Sequence, residues 1–305
     1  MVWRRVCTAF LGVALLTASA CSSDEAKSAP TTKAAPAVST TTARLVDGDS
    51  GFATSHGLRI HYEVHGKGAP LVLVHGWGAS IWTNWDVTGW LDALKPLRTV
   101  IAIDIRGHGD SDKPHDGKLY GYAPMSDDVI AVMDHLGVAK ADFVGYSLGA
   151  FVGAHLLGHE PDRFTSFALI GIGDEDKASL ALAPRIAAAL RAPAVKDVTD
   201  SEAAMYRTLV DADPRTDREA LALAALEMWP QGYPIKVGGP GLADTKVPVL
   251  ILNGADDPYA KTDDAFAAAI PGSRLVEIPG ADHLGIFTHP QFRKTVIDFL
   301  SRNGH

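Results

Sequence analysis

Short runs rich in apolar and β-branched residues recur along this chain, separated by longer stretches in which apolar residues return at every third or fourth position. The runs fall at residues 71–74, 99–103, 142–144, 166–170, 247–252 and 274–278, and the helix-period stretches include 125–136, 150–159 and 291–302. Strands that are apolar on both faces must be covered on both faces, and parallel strands need a crossover that a helix supplies. The pattern therefore predicts an α/β fold, a mostly parallel central sheet with helices on both faces. Ahead of it, residues 52–64 alternate like two short strands around a His56-Gly57 turn.

The rhythm breaks between residues 173 and 244. Here there is no strand-like run, only Ala- and Leu-rich helical pattern at 181–190 and 219–228. Pro184, Pro193, Pro214, Pro230 and Pro234 are expected to cut it into short helices. An all-helical insertion late in an α/β alternation reads as a cap. The expected organisation is a core over 46–172 and 245–305 with the cap over 173–244.

The N-terminus reads as a targeting segment rather than as part of the fold. Arg4 and Arg5 precede an apolar run at 6–16 that is too short to span a bilayer comfortably, and Ala18-Ser19-Ala20-Cys21 follows. This resembles a bacterial lipoprotein signal over 1–20, which implies cleavage before Cys21 and lipid attachment to it. An ordinary secretory signal is the rival reading, because Ala18-x-Ala20 also fits the small-residue cleavage rule. The arginine pair suggests a twin-arginine route as well, but Trp3 and Val6 are poor neighbours for it. Residues 21–45 are rich in Ser, Thr, Ala, Pro and Lys and read as a flexible linker. The expected location is outside the cell membrane, held there by a lipid anchor, or secreted if the signal is an ordinary one.

Composition narrows the partners. The 305 residues are 47% hydrophobic and 21% charged, enough apolar material for a full α/β core. Formal net charge is -8 with no basic cluster, which argues against nucleic acid as a partner. Cys7 and Cys21 are the only cysteines, so the chain beyond the signal has neither a disulfide framework nor a thiolate metal site.

The chemistry concentrates at the ends of the predicted strands. Gly145-Tyr146-Ser147-Leu148-Gly149 joins a strand to a helix of small residues. A serine lifted clear of such a turn needs flanking glycines, because side chains there would collide. A serine hydroxyl attacks only when a base takes its proton, and the base needs an orienting group. His283, in the loop after the last strand, is the expected base. His289 opens the last helix and His305 is terminal, so neither fits. Asp257, after the strand at 247–252, is the expected acid, with Asp256 as competitor and Asp174 and Asp176 holding a smaller share. Backbone amides of Leu148 and of Trp77, within His75-Gly76-Trp77-Gly78, are the expected oxyanion donors. His75 reads as a brace for that loop. Neither a metal nor an organic cofactor is called for.

The order Ser147, then acid, then His283 resembles the α/β-hydrolase superfamily, and the likeness covers nearly everything from Gly51 onward. The His75–Gly78 loop and Asp104-Ile105-Arg106-Gly107-His108-Gly109-Asp110-Ser111 look like the branch of epoxide hydrolases, haloalkane dehalogenases, cofactor-free haloperoxidases and meta-cleavage-product hydrolases. Dehalogenases and epoxide hydrolases carry aspartate in the elbow. Ser147 in its place implies acyl transfer to water, and the Arg106–Ser111 turn is implied to be structural. Asp282 departs from the small residue many relatives place before the histidine, where it either perturbs His283 or faces solvent. The resulting expectation is a carboxylic ester hydrolase acting on a small-molecule ester through an acyl-enzyme. Carbon–carbon bond hydrolysis or perhydrolysis by the same triad is the sister reading, and a non-catalytic small-molecule binder is the reading from another class. Met205, Tyr206, Leu209, Leu223, Met228 and Trp229 are candidates for an apolar ceiling in the cap, weighed against simple packing of cap on core.

Overall fold

The computed structural model describes residues 45–174 and 177–303. The signal, most of the linker, Cys21, Asp176 and His305 lie outside the described residues.

Eight strands form one sheet in the order β1-β2-β4-β3-β5-β6-β7-β8. The first two, β1 (Ser50–Ser55) and β2 (Leu58–His65), make the hairpin expected around His56-Gly57, and β2 pairs antiparallel with β4 (Thr99–Ile103). All other pairings are parallel, linking β3 (Pro70–Val74), β5 (Ala141–Tyr146), β6 (Phe164–Ile170), β7 (Val249–Gly254) and β8 (Arg274–Ile278). The expected mostly parallel sheet is thus present.

Strand side chains alternate between two apolar layers, as a period of two requires. Val72, Val74, Ile101, Ile103, Phe143 and Ile251 face one layer, where α2 (Tyr122–His135) contributes Met125 and Val129 and α3 (Leu148–His159) contributes Val152 and Leu156. Leu71, Leu73, Val100, Ala102, Val144 and Leu250 face the other, against Trp90 and Leu94 of α1 (Trp90–Leu94) and Phe292 and Val296 of α10 (Pro290–Asn303), the helix that follows α9 (Asp263–Ala268) and β8. Phe143 is wholly buried. Truncating such a ring to Ala costs about 3–5 kcal/mol.

Between β6 and β7 runs the helical insertion: α4 (Lys177–Arg191), α5 (Ser201–Asp211), α6 (Arg218–Met228), α7 (Pro234–Gly238) and α8 (Gly241–Asp244). It has an apolar cluster of its own, with Leu182, Ile186, Leu190, Val210 and Leu221. Buried Arg207 in α5 donates to the carbonyls of Ala189, Leu190 and Ala192, satisfying orphan acceptors at the end of α4. Pro184, expected to end a helix, instead lies inside α4. Its ring is exposed while Leu182, Ala183, Ile186 and Ala187 around it are buried, so packing outweighs the lost hydrogen bond. The remaining prolines do mark breaks or helix starts. Pro193 and Pro214 fall between helices, Pro230 lies in a 3-10 turn, and Pro234 opens α7. Among the described residues, no helix is long and apolar enough to cross a membrane.

The order β4-β3-β5 places the site. The chain leaves β3 in one direction to form β4, then returns past β3 to form β5. Between the carboxyl ends of β3 and β5 the sheet therefore has a topological switch point, the crevice where open α/β sheets bind ligands. The loop after β3 carries Trp77, and the turn after β5 carries Ser147.

Candidate active site

Ser147 sits at φ 50°, ψ -113°, one of two described non-glycine residues at positive φ. Such a backbone is strained and persists only where the surroundings fix it. They do so here through close approach. A Cβ on Gly145 would overlap the Gly149 carbonyl, and one on Gly149 would overlap the Val74 carbonyl of the neighbouring strand. Helix α3 begins at once with Leu148, and the Ser147 amide donates to the Ile170 carbonyl at 2.8 Å.

His283 brings the next groups together. Its Nδ1 lies 2.7 Å from Asp257 Oδ2 and its Nε2 lies 3.2 Å from Ser147 Oγ. A carboxylate only accepts, so Nδ1 carries the proton and Nε2 is left bare toward the serine hydroxyl. Asp257 is buried and is itself oriented, because its Oδ1 accepts the Tyr259 amide at 2.8 Å in an Asx turn. Asp256, its competitor, is exposed. Asp174 accepts the Ile235 amide at the start of α7 instead. Exposed Asp282 accepts the Gly285 amide at 2.6 Å, which ties down the turn after the histidine. His289 accepts the Gln291 amide near the start of α10, away from these groups.

Leu148 and Trp77 line the same cavity as Ser147 and His283. Among the described residues, neither backbone amide donates to a protein acceptor. The loop carrying Trp77 is held from both sides. The Gly76 amide donates to Asn84 Oδ1 at 2.8 Å, from a π-type turn at Ile81–Asp86. His75 donates from Nδ1 to the Gly76 carbonyl, so its Nε2 is the acceptor for the Ile105 amide. Burial lowers the pKa of His75, which keeps it in this neutral, bracing form.

Beneath that loop the Asp104–Ser111 turn is a closed network. Asp104 accepts from His61 Nδ1 at 2.8 Å and from the amides of Ile81 and Asp110. Burial opposes ionisation of Asp104, but these hydrogen bonds, that from His61 foremost, outweigh it and hold its pKa at about 2. His61, Asp104 and Asp110 have oxygen and nitrogen atoms close enough to hold a cation. However, the Asp104 oxygens are taken by these donors and Asp110 Oδ2 by Arg215 at 2.8 Å. Arg106 makes a buried bidentate pair with Asp128. The side chains of Asp104, Arg106 and Ser111 are thus engaged in holding structure.

Sequence reasoning missed several residues. Tyr146, the variable position of the elbow, donates to the His283 carbonyl at 2.7 Å. Tyr259 packs its ring edge-on to that of His283, centroids 5.0 Å apart, and donates to Glu202 of α5 at 2.9 Å, linking the histidine to the insertion. Of the ceiling candidates, Tyr206, Leu209 and Trp229 line the cavity, whereas Leu223 and Met228 pack into the core and Met205 is exposed. Tyr122 and Phe151, stacked at 5.4 Å, line it from the core side. Their only sequence signal is aromaticity in an apolar face, which also describes plain packing.

Comparison with known proteins agrees with the architecture. A family model described as alpha/beta hydrolase fold matches residues 69–290. The dihydrolipoyllysine-residue acetyltransferase component of an acetoin cleaving system from Cupriavidus necator is 30% identical over 76% of this chain and 64% of its own length. A putative non-heme bromoperoxidase from Mycobacterium tuberculosis is 27% identical over 79% of this chain and 96% of its own. Among solved structures, a hydrolase from Pseudomonas aeruginosa superposes with a TM-score of 0.66 at 29% identity, covering 83% of this chain and 98% of that one. An enol-lactonase from Burkholderia xenovorans gives 0.67 at 26% identity, covering 82% and 99%. The chain spans less than two thirds of the length of the acetyltransferase components it matches.

Proposed function

Because this chain belongs to the alpha/beta hydrolase fold family, we propose that it is a serine hydrolase of carboxylic esters working through an acyl-enzyme. The observation that carries this reading is the path from Ser147 Oγ through His283 to buried Asp257, with its single consistent tautomer. In the proposed reaction Ser147 Oγ attacks the ester carbonyl and passes its proton to His283 Nε2. Asp257 holds the ring in place and balances the imidazolium charge. Amides of Trp77 and Leu148 receive the developing oxyanion, the role in which fixed donors act most strongly. His283 then gives its proton to the departing alkoxide. Water repeats the sequence in reverse, releasing the acid and restoring Ser147.

The lining of the site supports esters over carboxylate-bearing substrates of carbon–carbon hydrolysis. Among the described residues, no Lys, Arg, Asp or Glu lines either cavity that reaches Ser147. A carboxylate buried there would lack a counter-charge, at a cost of several kcal/mol. Perhydrolysis is a second reading, favoured by the likeness to the putative bromoperoxidase. The same acyl-enzyme would be intercepted by hydrogen peroxide, giving a peracid in place of the acid.

Ser147→Ala tests the proposal. Hydrolysis of ethyl butyrate should fall by at least a thousandfold while the circular dichroism spectrum and Tm stay unchanged, and fluorophosphonate labelling should vanish. Retained turnover would overturn the assignment. Labelling of the wild type with no turnover on any ester would point to a binder instead. We further propose export and lipid anchoring at Cys21, on the sequence signal alone. Labelling with radioactive palmitate that survives Cys21→Ala would refute the anchor.

A further inference from the structure

The space around Ser147 is divided unequally. A large lobe of about 550 Å³ is lined by Ser147 and Trp77 together with Trp82, Val87, Leu209 and Leu284. A small lobe of about 70 Å³ lies between Gly171, Leu182, Pro258 and Tyr259. Ser147 and His283 line both. An ester carbon under attack carries two organic arms, one through carbon and one through oxygen. With the nucleophile at the junction, the lobes receive one arm each.

A second observation concerns the mouth. Trp82, Val87, Leu209 and Leu284 are 42%, 61%, 40% and 44% exposed. They make up half of the large apolar side chains exposed among the described residues, and all four line the large lobe. Isolated exposed apolar residues need no explanation, but a cluster around one opening marks a surface that an apolar ligand covers.

Resting on the acyl-transfer reading above, we propose that the substrate is a neutral ester with one short arm and one long apolar arm, the long arm filling the large lobe and lying across Trp82, Val87, Leu209 and Leu284. The small lobe limits the other arm to a few non-hydrogen atoms. Hydrolysis consumes one water, breaks the bond between acyl carbon and alcohol oxygen, and releases one long and one short product. Each methylene buried along the long arm raises kcat/KM by up to roughly fourfold, until the chain passes the exposed collar.

Two ester series followed by pH-stat titration with the full chain test this: ethyl esters of acids from acetic to decanoic, and acetates of alcohols from ethanol to decanol. One series should climb at least a hundredfold from its shortest to its longest member, and octyl octanoate should be turned over at least a hundredfold more slowly than the best single-armed ester. Val87→Asp should lower the ratio of long-arm to short-arm kcat/KM at least tenfold. Turnover that is flat across both series, or octyl octanoate as good as the best ester, overturns the proposal while leaving ester hydrolysis intact. No turnover in either series would sink the ester-hydrolase reading itself.

Discussion

Tyr146 donates its hydroxyl to the main-chain carbonyl of His283 at 2.7 Å, so the residue before the candidate nucleophile clamps the loop that carries the candidate base. The clamp is reinforced by ring contacts, 5.1 Å to His283 and 4.4 Å edge-on to Phe287. Burial pushes the Tyr146 phenol well above its ordinary pKa, which keeps it a donor at any working pH. Strand β5 thereby fixes both the strained serine and, from 137 positions away, the backbone beneath the histidine.

Tyr146→Phe isolates that hydrogen bond while keeping the ring. Losing one buried donor costs about 1 kcal/mol, so kcat on a short ester should fall about fivefold with KM nearly unchanged. The Tm should drop by about 2 °C for a chain of this size. An unaltered kcat alongside a lowered Tm would show that the contact supports the fold but does not position His283.

The two adjacent aspartates separate cleanly by substitution. Asp257→Asn places an amide where Nδ1–H needs an acceptor and favours the wrong tautomer, so kcat should fall on the order of 10⁴-fold. Asp256→Asn alters an exposed side chain and should leave kcat within about twofold. Equal losses in the two variants would contradict the part assigned to Asp257.

Much of this arrangement was legible in the sequence, and the gaps have physical causes. Most of the parallel strands announced themselves because burial on both faces leaves few polar positions in them, as in Leu71–Val74 and Leu250–Leu252. Ser147 and Asp257 each follow such a strand, and His283 follows β8, a partly exposed strand with Arg274 and Glu277 on it, so finding the strands found the loops. Spacing after Gly254 favours Asp257 over Asp256, and the turn closed by the Tyr259 amide is the contact that orients the Asp257 carboxylate. The turn at Ile81–Asp86 and helix α1 are too short to show a period. Pro184 misled because its cost is local and the packing that outweighs it is not. Tyr146 and Tyr259 act across long sequence separations, on the His283 carbonyl and on Glu202. Nothing local to either residue records that partner.

Gly149→Ala probes the elbow from below. The added methyl would drive into the Val74 carbonyl, a backbone atom that cannot swing away as a side chain would. Displacing β3 or α3 costs about 1–3 kcal/mol, and it moves Ser147 off its strained geometry. Labelling by fluorophosphonate should slow by at least a hundredfold, well beyond the change in stability. A labelling rate within threefold of the wild type would mean that the elbow relaxes without cost.

Asp104 gives a prediction in pH. Its carboxyl titrates at about 2 in the folded chain, against 3.8 as its ordinary value. The folded state therefore prefers the ionised form, and the stability this lends is fully present above about pH 4 and drains away as pH falls toward 2. At 1.36 kcal/mol per unit, the contribution is about 2 kcal/mol. His61, the partner, shows the complementary side of the same contact. Burial lowers its pKa, but Asp104 raises it more, for a net upward shift. The contact is thus complete below the ordinary histidine value of 6.5 and weakens as pH climbs through the raised one. Urea unfolding of wild type and Asp104→Asn should differ by about 2 kcal/mol near pH 5. The difference should shrink to a small fraction of that by pH 2, where Asp104 is about half protonated, and should narrow again at alkaline pH as His61 loses its proton. A difference that stays constant from pH 2 to 9 would mean that Asp104 acts only through shape and neutral hydrogen bonding.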